Sequence, residues 1–264
     1  MPFEANHPGP FEIAVAALFG ALIGSFLNVC ILRWGAEPKE SIIKPASHCP
    51  RCGRGLAWYE NIPVVSWLLL RARCRGCGEP ISMMYPLIEL ATAGIWAYMA
   101  WRHGLTIEAL RGAAFFTILL GIAMTDARRY IIPDEFSWGG LAIGLLFSLA
   151  GGKPGLVTAV IGAAVGFGLL WLVGTVGTWV FKEDAMGGGD IKMMAMVGAF
   201  VGWQGVLLTI FLGALSGSLV FVPLLLMGNK KLVPFGIFLA IGAAIAYEAG
   251  PAIYGWYAQY LAGA

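Results

Sequence analysis

Charge is scarce in this sequence. Of its 264 residues only 12% are Asp, Glu, Lys or Arg, against about 25% in ordinary soluble domains, so most of the chain is not built to face water. Histidine is scarcer still, at three residues, His7, His48 and His103. None sits near an acid cluster in sequence and no HExxH motif exists, which argues against a zinc protease. No G-x-G-x-x-G turn follows a strand in a βαβ pattern, so a nucleotide- or methyl-donor-binding domain of the soluble kind is not expected. The first apolar run lacks a basic leader, has Glu4 and Glu12 at its start, and is followed by no A-x-A site. It is expected to be a mature helix rather than a cleaved signal. No internal repeat and no low-complexity tract is visible.

What is abundant is apolar residues, 59% of the chain, gathered into runs long enough to cross a bilayer. The expected fold is an all-α polytopic membrane protein of about eight transmembrane helices. They are read at Phe11–Leu32, Met83–Trp101, Ala109–Thr125, Phe136–Ala150, Leu156–Phe181, Ile191–Trp203, Val206–Met227 and Val233–Tyr257. The sixth is short and flanked by glycines, and it is either a tilted span or continuous with the seventh across Gly202 and Gly205. Positive loops stay cytoplasmic. With an outside N-terminus that face holds Arg33, Lys39, Lys44, Arg51, Arg54, Arg71, Arg73, Arg75, Arg128, Arg129, Lys182, Lys192, Lys230 and Lys231, leaving only Arg102, Arg111 and Lys153 opposite. Both termini then face out. The organisation read from this is a first helix at 1–32, a cytoplasmic loop at 33–82 and a helical bundle at 83–264.

The loop carries Cys49-Pro-Arg-Cys52 and Cys74-Arg-Gly-Cys77. Each CxxC turn sets two thiolates on one side of a tight turn, and two such turns complete a tetrahedral S4 site for Zn²⁺. In a reducing compartment this reading outweighs disulfides. Four thiolates leave no open coordination position, so Cys49, Cys52, Cys74 and Cys77 are expected to hold a structural zinc. Arg51, Arg54, Arg71, Arg73 and Arg75 are near in sequence to offset its negative charge. Cys30 reads as a packing residue, and His48 as unnecessary to the metal.

Acids in membrane spans are costly and suggest function. Asp126 stands at the cytoplasmic end of the third span, and Asp190 opens the sixth after Gly187-Gly188-Gly189. Topology gives both the same side and depth, as two carboxylates sharing a proton require when one activates water and the other donates to a carbonyl oxygen. The plain alternative is that they are helix-end residues: Asp190 as a cap, Asp126 paired with Arg128 or Arg129. An anion at a helix C-terminus is unfavourable, which tilts Asp126 toward function. Asp134 and Glu135 read as caps of the next helix. Glu89, inside the second span, reads equally as a partnered structural acid or a substrate-positioning one. Glu248 reads as solvent-reaching, and Gly162 and Gly166 as helix-packing positions.

Several ordered motifs carry a resemblance. They are Gly24-Ser25-Phe26-Leu27-Asn28-Val29, the double CxxC loop, Trp58-Tyr59-Glu60-Asn61-Ile62-Pro63, Ile81-Ser82 with Tyr85-Pro86, Asp126 with Asp134, and Gly187-Gly188-Gly189-Asp190. Together they resemble the bacterial type IV prepilin peptidases, aspartyl proteases of the Gly-x-Gly-Asp kind. The resemblance implies an inner-membrane enzyme that cuts the basic leader of prepilins and pseudopilins after a glycine at the cytoplasmic face. It also implies N-methylation of the new terminus from S-adenosylmethionine. Asp126 and Asp190 match the family's catalytic pair, and the cysteine loop its methylation-associated region. Trp58, Tyr59, Glu60 and Asn61 are candidates for a sulfonium contact or for loop packing. Met83-Met84 departs from the pattern where a basic residue is expected. The lipid bilayer and pilin-like substrates are the expected partners, and nucleic acid is not. A transporter or channel, a zinc-loop scaffold, and a serine protease using Ser216 are the competing readings; the last lacks a suitably placed histidine.

Overall fold

The computed structural model describes residues 8–36, 38, 40–228 and 234–263. Glu4, His7, Lys39, Lys230, Lys231 and Val233, named above, lie outside the described residues. The described residues form α1 (Pro10–Trp34), a 3-10 turn at Trp58–Asn61, α2 (Val65–Leu69), α3 (Met84–His103), α4 (Ile107–Arg129), α5 (Asp134–Leu149), α6 (Leu156–Phe181), α7 (Gly188–Leu226) and α8 (Phe235–Gly263). No strand occurs among them, as the all-α expectation required. The chain divides within α4 into two compact units, residues 1–117 and 118–264.

The expectation of eight transmembrane helices is corrected. Eight α-helices are present among the described residues, but five, α1, α4, α6, α7 and α8, are long and apolar enough to cross a membrane. The short α2 was not expected, and α5 has only 16 residues. In α3 the residues Tyr85, Pro86, Glu89, Trp96 and Tyr98 hold hydropathy down. The sixth and seventh expected spans both fall within α7, whose helical run is broken between them by the non-helical Gly202 at φ 71, ψ 178. That conformation is open to glycine and strained for any side chain.

In the first unit, α1 begins with Pro10 at its first turn, and the Glu12 carboxylate reaches back to the Gly9 amide. Its glycines form the seam with α3. A Cβ on Gly24 would stand 2.8 Å from Glu89 Cα, and one on Gly20 2.7 Å from Trp96 Cβ. Asn28 closes the seam by donating from Nδ2 to Tyr85 O at 3.1 Å. The two helices therefore run antiparallel in a fixed register, residue 28 beside 85 and 24 beside 89. Trp96 in turn donates to Thr117 Oγ1 at 3.2 Å.

In the second unit α7 is the centre. Its stretch from Met193 to Phe200 is buried on every side, as a helix surrounded by others must be. A Cβ on Gly162 of α6 would overlap Gly198 O, and one on Gly166 would overlap Met194 O, so both glycines are packing positions as expected. The Gly166 position also lies 3.3 Å from Val206. Met194 and Val206 would be about 18 Å apart in a straight helix, so α7 doubles back at Gly202 into a helical hairpin. The second arm meets α8 closely, where a Cβ on Gly242 would stand 2.6 Å from Thr209 O.

Candidate active site and metal centre

Asp126 lies in the last turn of α4 and is buried, at 6% exposure. The Tyr130 amide closes that turn onto Asp126 O at 2.9 Å, and Tyr130 itself has φ 57. This left-handed residue ends the helix and sends Ile131-Ile132-Pro133 across the start of α7. There Gly187 is the N-cap, and Asp190 falls in the first turn with its amide on Gly187 O at 3.1 Å. The cap position is Gly187, so Asp190 is not the cap itself but stands in the first turn of α7, where the helix dipole favours an acid. Asp126 and Asp190 line one cleft of roughly 300 Å³, with Tyr130, Ile132, Asp134, Lys192 and the three glycines around them. They are near enough for their charges to act on each other. Asp126 Oδ2 and Asp190 Oδ1 are both buried without a hydrogen-bond partner.

Two buried carboxylates in one cleft can share a proton and polarise a water between them. Unsatisfied buried oxygens are uncommon in folded proteins and mark where a proton, a water or a substrate amide belongs.

Sequence reasoning missed several contributors. Ile132 is the wall of the cleft: a Cβ on Gly189 would stand 2.9 Å from Ile132 Cβ, and one on Gly236 2.8 Å from Ile132 Cδ1 and 2.8 Å from Asp126 Oδ2. The amides of Gly236 and Ile237, opening α8, donate to the Asp126 carboxylate. Lys192 Nζ donates to both oxygens of Asp134, at 2.8 and 3.0 Å, joining the starts of α5 and α7. Asp134 is thus the first helical residue of α5 and an ion-pair partner; the cap position is Pro133. The only signal for the α8 contribution is a glycine one residue into a helix after Pro234-Phe235, too distant in sequence from Asp126 to be paired with it.

The cysteines assemble as their spacing implies. The sulfurs of Cys49, Cys52, Cys74 and Cys77 all lie within 4.8 Å of one another, and Cys49 Sγ is 3.9 Å from Cys77 Sγ. A tetrahedral Zn–S bond of about 2.3 Å puts sulfurs about 3.8 Å apart, so the cage fits zinc in size and chemistry. The two turns repeat one design. Cys49 N donates to Arg54 O at 2.9 Å and Gly53 N to Cys49 O at 2.9 Å, while Cys74 N donates to Glu79 O at 2.8 Å and Gly78 N to Cys74 O at 2.9 Å. Gly53 and Gly78 have φ 70 and 74. The amides of Cys77 and Gly76 donate to the Cys74 sulfur and bring that thiol down to about 6, in the range where it is a ready metal ligand.

Arg54 donates to Glu60 Oε1 at 2.6 Å, and Glu60 also accepts the Ala57 amide at 2.8 Å. That amide first, and then the guanidinium, hold the Glu60 carboxyl below its ordinary value. Arg75 lies over Tyr59, its guanidinium carbon 5.8 Å from the ring centroid. Outside the cage, Cys30 is buried in α1, and His48 turns its Nδ1 to Ala46 O at 3.0 Å. Glu248 is half-buried in α8 and His103 ends α3. Ser216 bonds back to Leu212 O at 2.7 Å within α7, an ordinary helical hydroxyl.

With no strand among the described residues, five membrane-length apolar helices and a paired-acid cleft, the chain is a multi-pass membrane protein. Residues 18–103 match the bacterial peptidase A24 N-terminal domain and residues 113–222 the type IV leader peptidase family. Among curated proteins it is similar to the prepilin leader peptidase/N-methyltransferase of Pseudomonas putida, 37% identical over 96% of this chain and 95% of that one. It is 36% identical to the protein of that name from Pseudomonas aeruginosa, over 98% of both. It is 40% identical to the one from Myxococcus xanthus, over 84% of this chain and 66% of that longer protein. No solved structure matches. The chain belongs to the type IV leader peptidase family and is an enzyme of the leader peptidase/N-methyltransferase kind.

Proposed function

We propose that this enzyme is a membrane aspartyl endopeptidase that removes the leader of type IV prepilins and pseudopilins after a glycine at the cytoplasmic membrane face. N-methylation of the exposed terminus follows. Asp126 and Asp190 are the catalytic pair. One carboxylate takes a proton from the attacking water while the other, protonated, donates to the carbonyl oxygen of the scissile bond. The observation that carries this is the pair of buried, partnerless oxygens, Asp126 Oδ2 and Asp190 Oδ1, facing one cleft. The bare backbone of Gly187-Gly188-Gly189 lets an extended substrate approach Asp190. A substrate helix has to unwind there, because its own hydrogen bonds shield its peptide bonds.

The basic loops support an orientation with cleft and cysteine loop on the cytoplasmic side of the inner membrane and both termini periplasmic. The division into a first helix at 1–32, a zinc loop at 33–82 and a protease bundle at 83–264 belongs to the same reading. Cys49, Cys52, Cys74 and Cys77 hold a structural zinc; when bound it ties the two turns together and supplies no chemistry to cleavage. Methyl transfer from S-adenosylmethionine enters through the relatives' names and the family resemblance. Of the residues at 58–61, Tyr59 has Arg75 against its ring and Glu60 is committed to Arg54, which leaves the exposed Trp58 and Asn61 as the available contributors to a donor site.

The test is cleavage of a purified prepilin in detergent by wild type, Asp126→Asn and Asp190→Asn. Loss of cutting in both variants is expected, and a normal rate in either removes that residue from the pair.

A further inference from the structure

The segment after the 3-10 turn does not lie on top of the first unit; it reaches down into it. Val64 has φ 61 and ψ −49, a conformation that costs a β-branched residue dearly. The Val65 amide bonds Pro63 O at 2.5 Å, which makes residues 63–65 a γ-turn of the rare positive-φ kind. Strain of this sort persists only where the surroundings impose it. What imposes it is Glu89, buried in α3, whose Oε2 accepts the Val64 amide at 2.7 Å and which also takes a hydrogen bond from Ser25.

The α1–α3 register converts that bond into a depth. Glu89 sits beside Gly24, and the apolar run of α1, a membrane-length helix, continues from there to Leu32. Allowing for the reach of the Glu89 side chain, the γ-turn lies roughly one to two helical turns, about 5–10 Å, inside the end of that run. Irregular backbone survives at such depth only if its polar groups are satisfied within the protein, and many of these are paired. Pro63 is buried and has no amide, Ser66 N bonds Ile62 O, Leu68 N bonds Val64 O, Leu70 N bonds Ser66 O, and Ala72 N bonds Trp67 O. The side chains turned outward are apolar: Ile62, Val65, Leu68 and Leu69, the last 78% exposed. Exposed Arg71 and Arg73 follow directly, placed as a cationic rim at a headgroup layer.

We propose that residues 62–70 are a re-entrant membrane element. Its γ-turn is latched by Glu89, and its outward face contacts lipid acyl chains of the same bilayer that α1 crosses. Glu89 is accordingly a positioning residue for this element. The inference is independent of the catalytic reading of the second unit.

The experiment places the photoreactive amino acid benzoylphenylalanine singly at Leu69, at Leu18 on the exposed face of α1, or at Arg51 on the first cysteine turn. The full-length protein is reconstituted in vesicles of mixed neutral and anionic phospholipid, and covalent lipid adducts are measured by mass spectrometry after illumination. Leu69 is expected to yield lipid adduct at the level of Leu18, and a yield no higher than that of Arg51 overturns the proposal. Glu89→Ala leaves the Val64 amide unpaired and is expected to lower the Leu69 adduct about tenfold with Leu18 unchanged. Glu89→Gln keeps an acceptor and retains it. An unchanged Leu69 yield in Glu89→Ala overturns the latch. Should Glu89→Ala lose the Leu18 adduct too, the Gln variant and the wild-type contrast decide.

Discussion

The cysteine cage of the first unit and the aspartate cleft of the second solve one problem, that of bringing like-charged groups together, by opposite means. In the cage, each pair of ligands comes from a single turn of five residues. Backbone bonds such as Gly53 N to Cys49 O and Gly78 N to Cys74 O shape those turns before any tertiary contact forms. In the cleft, Asp126 and Asp190 come from different helices and meet only because α4, α7 and α8 are packed around Ile132. A site made of turns is written in spacing; a site made of packed helix ends is written in the small residues that let those ends meet.

The sharpest way to break this comparison is to remove charge from the cleft. Asp126→Asn or Asp190→Asn is expected to lower cleavage about a thousandfold, the scale of general acid–base catalysis, with expression and zinc content intact. A fall in zinc content would mean the two regions are not separately built. Next in size is Gly236→Ala, which places a methyl 2.8 Å from Asp126 Oδ2. Displacing a catalytic group by a fraction of an ångström to an ångström is expected to cost on the order of a hundredfold in kcat with little change in KM. Equal kcat in that variant would show that α8 does not position Asp126.

Cys49→Ser tests the other side. Zinc measured per protein is expected to fall to near zero and exchange protection across 46–82 to drop, while cleavage survives at a reduced rate. The smallest effect belongs to Glu60. Its carboxyl is held low when folded, so its contribution is present above the unfolded value, about 4.3, and is lost as pH falls through the folded one. The extra exchange protection of residues 54–64 in wild type over Glu60→Gln at pH 6 should therefore begin to fade as pH falls below about 4.3 and disappear only below the lower, folded value.

These regions also differ in how far the sequence disclosed them. The cage was legible to the residue, because CxxC spacing alone dictates a turn. Asp126 and Asp190 were legible as costly acids expected at one depth, but their surroundings were not. Nothing in the spacing ties Gly236 or Ile132 to Asp126, or Lys192 to Asp134, since each pairing depends on helices distant in sequence. Hydrophobic runs marked every long helix, yet the number crossing the bilayer was overread, because run length ignores the aromatic and polar content of α3 and the shortness of α5. The break at Gly202 was visible as a glycine flanking a short run. Its reversal of direction was implied where the runs on either side were read as separate spans, although a glycine permits a turn without requiring it. Glu89 remained ambiguous in the sequence because its partner, Val64, offers only a backbone amide.

The hairpin at Gly202 has one more consequence, and it concerns the lipid. The arm that carries Asp190 in its first turn runs from residue 188 to 201, about 21 Å of helix, against about 30 Å of hydrocarbon in a typical bilayer. An arm that short leaves one of its ends below a membrane surface unless the bilayer thins to meet it. With the Asp190 end at the cytoplasmic face, as proposed, the submerged end is the turn at Gly202, and longer acyl chains should sink that turn deeper.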